Sequence, residues 1–594
     1  MKNDKFFLLK KGSVTLDKSC IYDRKIRILE SGLMSKLDFR ALTDFYREKR
    51  NQFAAGEFFG KIIRAACVLY AYTQNEALFS KIKSAIYDLI SIQGDDGEIS
   101  TAPKSEQPNG SSGADLWERK YVMLGLLEYY GITNDETVKE SLIKLLDYTI
   151  SQVGSEAGKI GILDTGWAFY GIESSSILEP VVKIYRLSND KRHIDFATYI
   201  VESGLCRREN VINAVLSGKS PYKIGDNGNP KDSIAKAYEM MSCFEGLTEY
   251  YRVTENERCR SAVITLYRRL IEEEITELGS GGADKPFNLG PGTGEQWNKT
   301  KYEQANPDID LMMETCVTVT WMKLCLQLLR LEGWAEYADK IEVSAINALC
   351  AALRPDGMFY EYFPRFNGTR NPKVNFSYKV GEYDLSCCTA NGPMGAALVP
   401  FIAFMQSDLG PVINLYVCGK AQYGAVTVET KTLFPYSSET EITIRGKLNH
   451  LLVRKADYAD NYKFSSNVSI IVTESADYKG YYEISGDFED NTVIKVSFDI
   501  KDSIIISSGS ISPSGNGKLL LKHGPVVLSR DKRYTDIKDG VKYSQNPKLI
   551  RIEPSPDQLV CFEYDGHLWT DYQSSGSSWD TDSEFVSWNE EDKT

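Results

Sequence analysis

The stretch LLEYYGITNDETVKESLIKLLDYTI, Leu126 to Ile150, decides the fold. Apolar residues return at helical spacing on both sides of a Thr-Asn-Asp break, so it reads as two amphipathic helices folded back on each other. The same phrase recurs as YAYTQNE from Tyr70, IYRLSND from Ile184 and YYRVTENE from Tyr250, with a degenerate copy in LQLLRLEGWAEYADKIEVSAINALC from Leu326. Copies that start roughly 55 to 80 residues apart are longer than short solenoid repeats. Hairpins of this size predict a ring of paired helices over residues 38–405, rather than an open superhelix.

After MQSDLGP the texture changes. INLYVCGKAQYG, AVTVETKTLF, TEITIRG, SIIVTES, TVIKVSFDI and KLLLKHGPVVLSR alternate β-branched and polar residues between Gly, Asp and Asn. They read as strands of an antiparallel β-sandwich over residues 406–594. Gly12 to Leu29 alternates similarly, so residues 1–37 are expected to supply strands bracing the ring or the sandwich. The last residues, from SSGSSWDTDSEF onward, are polar and acidic and read as a mobile tail.

With 594 residues, 42% hydrophobic and 25% charged, the chain can bury several substantial cores. Its net charge of −13 disfavours nucleic acid or an anionic membrane as partner. Phe6 to Leu9 is too short for a secretory core region, and no stretch approaches a membrane span. Twelve cysteines at irregular spacing suggest reduced thiols in a cytoplasmic protein rather than a disulfide framework. Nothing in the pattern reads on oligomeric state, and a homo-oligomer is compatible with it.

Two of those cysteines are adjacent, in YDLSCCTANGP. Upstream, DLMMETCVTV places Glu314 and Cys316 where a helical pattern begins. Glu314, Cys316, Cys387 and Cys388 offer three thiols and a carboxylate, a donor set suited to tetrahedral zinc. Residues i and i+2 do not share a helix face, so Glu314 and Cys316 reach one ion only if the chain is still unwound at Glu314. Adjacent cysteines likewise require an irregular backbone, and TANGP supplies turn chemistry. Buried apolar thiols or a vicinal disulfide are the alternatives; the first describes Cys67, Cys206, Cys259, Cys325 and Cys350.

GTGEQW (Gly292 to Trp297), ETC and CCTANG, in this order on a helical ring followed by strands, resemble the β-L-arabinofuranosidase family of glycoside hydrolases, family 127. The resemblance extends to DLWERKYVMLGLLEYY, KAYEMMSCFEGLTEYYRVT and LKHGPVVLS. It implies an (α/α)6 barrel with an accessory β-sandwich and one zinc ion per chain. It also implies Glu314, Cys316, Cys387 and Cys388 as metal ligands, Cys387 as nucleophile and Glu295 as general acid and then base. Net retention at the anomeric carbon would follow. Trp297 could wall Glu295 from water.

The family's pocket histidines are missing. His193 alone of the four histidines lies in the ring, and its Asn-Asp-Lys-Arg neighbours place it at the surface. The stretches that should carry the others read ERKYVML, GIESSSI and MMSCFEG, offering Tyr121, Glu173, Ser174 and Cys243. Tyr121, Glu173, Tyr360, Tyr362 and Trp297 are therefore the candidate substrate contacts. Lys61 reads as a solvated helix-start lysine, or as a site for an anionic sugar if it faces the pocket. The leading reading is a retaining glycosidase releasing a terminal β-L-arabinofuranose or related sugar from a short oligosaccharide. The alternative is a non-catalytic carbohydrate-binding protein with a structural zinc.

Overall fold

A computed structural model describes residues 4–592, apart from 111, 168, 169, 233 and 291. Twelve helices build its first unit: α1 (Ile21–Leu29), α2 (Glu57–Thr73), α3 (Glu76–Ile90), α4 (Asp115–Thr133), α5 (Glu136–Gln152), α6 (Leu178–Ser188), α7 (Lys191–Glu202), α8 (Ala237–Thr254), α9 (Glu257–Glu273), α10 (Thr315–Glu332), α11 (Ala335–Ser344) and α12 (Cys387–Ala403). The even-numbered helices touch in sequence, and α12 returns to α2, which closes the inner ring. Outside it, α3, α5, α7, α9 and α11 each pack on the inner helix before them, and α1 packs on α12.

The repeated phrase makes each hairpin. Gln74, Asn134, Asn189 and Glu255 take left-handed conformations that end the inner helices. The following Asn75, Asp135, Asp190 and Asn256 then accept hydrogen bonds from the first amides of the outer helices. Each such cap contributes about 1 kcal/mol. The degenerate copy ends α10 at left-handed Gly333 and starts α11 at Trp334 without a side-chain cap.

The strands form a sandwich and a further sheet. One sandwich sheet runs Phe7–Leu8, Phe404–Gln406, Pro411–Ile413, Leu448–Arg454, Tyr481–Phe488, Ile471–Glu474, antiparallel except where Pro411–Ile413 meets Leu448–Arg454. The second runs Ala459–Ser466, Thr492–Ile500, Thr440–Arg445, Val426–Thr432, Gly419–Tyr423, Val14–Leu16. Tyr462 and Phe464 of the second meet Tyr482 of the first. Phe7–Leu8 and Val14–Leu16 thus join the sandwich, one in each sheet, whereas Ile21–Leu29, read as part of the same alternation, is helix α1. From Asp502 onward eight strands, joined by Asn367–Gly368 from the ring unit, form a separate nine-stranded sheet that packs Leu520, Val527, Tyr572, Phe585 and Trp588 against Leu278, Met313 and Phe366 of the ring.

Three readings are corrected. The polar C-terminal residues are folded up to 592, not mobile: Trp588–Asn589 pairs with Leu519–Leu520, and Ser574 and Ser583 are buried on turns made by Asp571 and Asp580. Residues 593 and 594 lie outside the described part. TANGP is helical rather than a turn, with Pro393 inside α12. His193 is buried rather than exposed, bonded through Nδ1 to Ser188 (2.7 Å) and through Nε2 to Asp147 (3.0 Å), which ties α7 to α5. Among the described residues no helix is long and apolar enough to cross a membrane.

Candidate active site

Two neighbouring inner helices, α10 and α12, begin at the same place. Glu314 is the residue before α10 and has extended backbone (ψ 131°), so its carboxylate and the thiol of Cys316 turn to one point, as their spacing requires. Thr315 fixes this start, its amide bonded to the Tyr362 carbonyl at 3.0 Å and its hydroxyl to the Glu361 carbonyl at 2.6 Å. At α12, Ser386 caps the helix by accepting from the Thr389 amide. Cys387 and Cys388 are the first two helical residues, so a helical first turn, not an irregular loop, carries the adjacent thiols.

One ligand atom from each of Glu314, Cys316, Cys387 and Cys388 lies within 4.8 Å of every other, and all four residues are buried. Tetrahedral ligands on bonds of about 2.3 Å sit within about 4 Å of one another, so the spacing fits a zinc ion after small adjustment. Among the described residues Glu314 Oε2 is buried without a hydrogen-bond partner, which also fits a metal-ligand role. Burial opposes charging the Cys387 thiol. Hydrogen bonding with the Cys316 and Cys388 thiols, the charge of the nearby Lys61 ammonium and the contact with the Tyr362 hydroxyl nonetheless hold it well below the usual range. An α-helix N-terminus adds to this. Burial pushes Cys316, Cys388 and Glu314 well above theirs.

Cys387 opens on a cavity of about 220 Å³ at the ring's centre, whose wall also includes Glu314, Glu295 and Tyr362. Tyr362 is the link between them: its hydroxyl lies 2.9 Å from Cys387 Sγ and donates to Glu295 Oε1 at 2.7 Å. The other Glu295 oxygen accepts from Lys236 Nζ. Gly292 makes room for this pair. At φ 69°, its absent Cβ would sit 2.3 Å from Glu295 Oε2 and 2.7 Å from Lys236 Nζ.

The remaining wall corrects the sequence reading. Lys61 is not solvated: it is buried on the wall, its ammonium bonded to Glu57 Oε1 at 2.8 Å. Trp117 Nε1 donates to the other Glu57 oxygen. Also on the wall, Glu239 is buried, 3.6 Å from Lys236 through Oε1 and, among the described residues, without a hydrogen-bond partner at Oε2. Burial raises the pKa of both Glu57 and Glu239. Of these residues the sequence reading weighed Lys61 alone; Glu57, Lys236, Tyr238 and Glu239 escaped it, and the i, i+4 and i, i+3 spacings of Glu57–Lys61 and Lys236–Glu239 were the available signal.

Among the five proposed substrate contacts only Tyr362 lines the cavity. Tyr121 stands behind it, its hydroxyl on that of Tyr238, and Lys61 lies over its ring. Glu173 is deeper, packed at Gly166, where burial pushes its carboxyl up to about 8. Ser174 and Cys243 are buried there too, the Cys243 thiol on the Ile172 carbonyl at 3.1 Å. Trp297 is fully buried against Gly281, away from the wall. Tyr360 points into the core onto Gly392, beside Tyr22 and Lys25. Cys67, Cys206, Cys259, Cys325 and Cys350 are buried core residues. A larger groove of about 1080 Å³ crosses the second sandwich sheet but includes none of the Glu and Cys cluster.

Residues 27–399 match the model of the β-L-arabinofuranosidase GH127 catalytic domain. A non-reducing end β-L-arabinofuranosidase of Bifidobacterium longum is 21% identical over 352 residues, 54% of this chain and 51% of that protein. The chain thus spans about half the length of that curated relative. The solved GH127 β-arabinofuranosidase BT3674 superposes with a TM-score of 0.78 at 16% identity, covering 100% of this chain and 99% of the other. A GH127 β-L-arabinofuranosidase from Geobacillus stearothermophilus T6 gives 0.75 at 15% identity, covering 97% and 100%. These structural likenesses bear on the fold.

Proposed function

Because the chain belongs to the β-L-arabinofuranosidase family of glycoside hydrolases, GH127, we propose that it is a retaining glycosidase with Cys387 as nucleophile and Glu295 as acid and then base. The observation that carries this reading is the shared cavity wall, on which the Tyr362 hydroxyl joins the Cys387 sulfur to the Glu295 carboxylate. A purely structural metal clamp would need neither Glu295 nor an opening at Cys387.

Glu314, Cys316, Cys387 and Cys388 would hold zinc, which when bound keeps the thiols deprotonated near neutral pH. The Cys387 thiolate attacks the anomeric carbon while Glu295 gives its proton to the departing glycosidic oxygen. A carbon–sulfur bond replaces the carbon–oxygen bond with inversion. Water then attacks the same carbon, Glu295 takes its proton, and the sulfur leaves as thiolate. Two inversions give net retention, with the usual carboxylate nucleophile replaced by sulfur. The hydroxyl of Tyr362, which donates to Glu295 and lies against the Cys387 sulfur, is within reach of both groups between which the charge moves.

The Glu57–Lys61 and Glu239–Lys236 pairs occupy the role vacated by histidines. Each pair offers an acceptor and a donor to a sugar hydroxyl, and Glu239 Oε2, unpartnered among the described residues, can accept one. Since both lysines already contact carboxylates, the pocket suits a neutral terminal sugar, β-L-arabinofuranose or a related pentose on a short oligosaccharide, over a uronic acid. The test is turnover of 4-nitrophenyl β-L-arabinofuranoside and related pentosides by zinc-loaded protein, with the product anomer followed by NMR. Cys387→Ser should lose turnover, and Glu295→Gln should lose it on poor leaving groups. Full turnover by Cys387→Ser, or an inverted product, would refute the mechanism.

A further inference from the structure

The cavity has two chemically distinct ends. Its inner end is the buried set of Glu57, Lys61, Glu239 and Lys236, whereas its mouth is aromatic. Phe53 is 39% exposed, Trp167 and Phe376 are half-buried, and all three share the cavity with Cys387. Phe53 meets Trp167 edge-on (centroids 5.1 Å, 72°) and Phe376 likewise (5.8 Å, 85°). The outer rings are braced from within. Trp167 packs on buried Trp117 at 5.7 Å, and Phe376 on buried Phe58 at 5.7 Å. The chain also bends to present Phe53, between Asn51 and Ala54, both in left-handed conformations at φ 48° and 52°.

We propose that Phe53, Trp167 and Phe376 form the leaving-group subsite, and that the group bound there is a ring with one flat face of C–H bonds or π electrons, a pyranose or an aryl aglycone. This rests on the reading of the cavity as a glycosidase site. At about 220 Å³ the cavity is smaller than the ~300 Å³ at which drug-sized pockets begin, so it takes about one sugar ring. Whatever is attached to that ring emerges at the mouth. There it meets aromatic edges and faces from three separate chain segments, with Asn375 beside them and no charged side chain among the described lining residues that are not buried. A flat apolar face suits such a surface, and a charged or branched polar group does not.

The experiment compares kcat/KM for 4-nitrophenyl and methyl β-L-arabinofuranosides in zinc-loaded wild type, Phe53→Ala and Phe53→Tyr. An aromatic contact of the usual strength predicts that the aryl-to-methyl ratio falls about two- to tenfold in Phe53→Ala and recovers in Phe53→Tyr. Because the ratio is taken within one protein, partial misfolding cancels. Product inhibition by 4-nitrophenol against methyl β-D-xylopyranoside then tells an aryl from a pyranose preference. An unchanged ratio in Phe53→Ala and in Phe53→Ala/Phe376→Ala overturns the subsite while leaving the glycosidase reading intact. A wild type that neither turns over nor binds either glycoside overturns both.

Discussion

Removing one oxygen at Tyr362 isolates the contact on which the proposed chemistry depends. In Tyr362→Phe the ring can stay against Phe363, its neighbour at 4.7 Å and tilted by 45°, while the bonds at 2.9 Å to Cys387 and 2.7 Å to Glu295 vanish. A hydrogen bond to an ionised partner contributes about 1.5–3 kcal/mol. Only one of the two has an ionised partner at each end of the first step, because charge leaves sulfur as it reaches Glu295. Both end states lose that bond alike, so kcat registers only what the hydroxyl adds in between, while sulfur and Glu295 share the charge: at most one such bond, or up to about 150-fold in kcat at 1.36 kcal/mol per decade. Zinc per chain should not change, since the hydroxyl is not a ligand. Steady-state kinetics beside elemental analysis separate the outcomes. Wild-type kcat would refute the bridging role, and a loss of zinc parallel to the loss of rate would make Tyr362 a support of the metal site instead.

Zinc affinity should rise steeply with pH. Cys316 and Cys388 hold protons in the metal-free protein, pushed up by burial, and zinc must displace them; burial raises Glu314 in the same direction. Binding is thus weaker as pH falls, and competition with a chromophoric chelator between about pH 6 and 8 should give a slope well above one proton per ion; a flat profile would place the metal elsewhere. Gly292→Ala should lower kcat about a hundredfold with little change in melting temperature, because the new methyl group displaces Glu295 by a fraction of its length. Arg454→Ala should destabilise the protein by about 3–5 kcal/mol in denaturant unfolding. Its fully buried guanidinium joins the sandwich to Asp339 and Glu342 of α11, both at 2.5 Å.

The hairpins were legible because their signal is local: a left-handed residue followed by an Asn or Asp cap repeats at Gln74–Asn75, Asn134–Asp135, Asn189–Asp190 and Glu255–Asn256. Glu314 and Cys316 were legible for the same reason, since i and i+2 donors converge only across a helix start. The C-terminal residues misled because Ser/Asp turns buried by hydrogen bonds have the composition of disorder; Ser587, bonded to Ser529 at 2.7 Å, looks no different in sequence from a solvated serine. TANGP misled for a packing reason. Gly392 is needed where α12 crosses the Tyr360 ring, whose atoms would lie 2.6 Å from a Cβ, and so it marks a close approach inside a helix rather than a turn.

The pocket wall was hidden by a different property of the fold. In most amphipathic helices a charged residue marks the outer face, but an inner helix of a closed ring is buried on every side. One of its faces meets the outer helices and the other meets the axis. Lys61 and Glu57 on α2 therefore look like a solvated i, i+4 pair and are 2% and 3% exposed. Tyr360 and Tyr362 show the same ambiguity in two residues, one fixed in the core and the other at the reacting groups. Separating axis from core requires knowing that α12 closes onto α2, a contact between residues more than 300 positions apart. That closure also sets α12 beside α10, bringing Cys387 to Cys316, so the fold that hides the pocket in the sequence is the one that assembles its nucleophile.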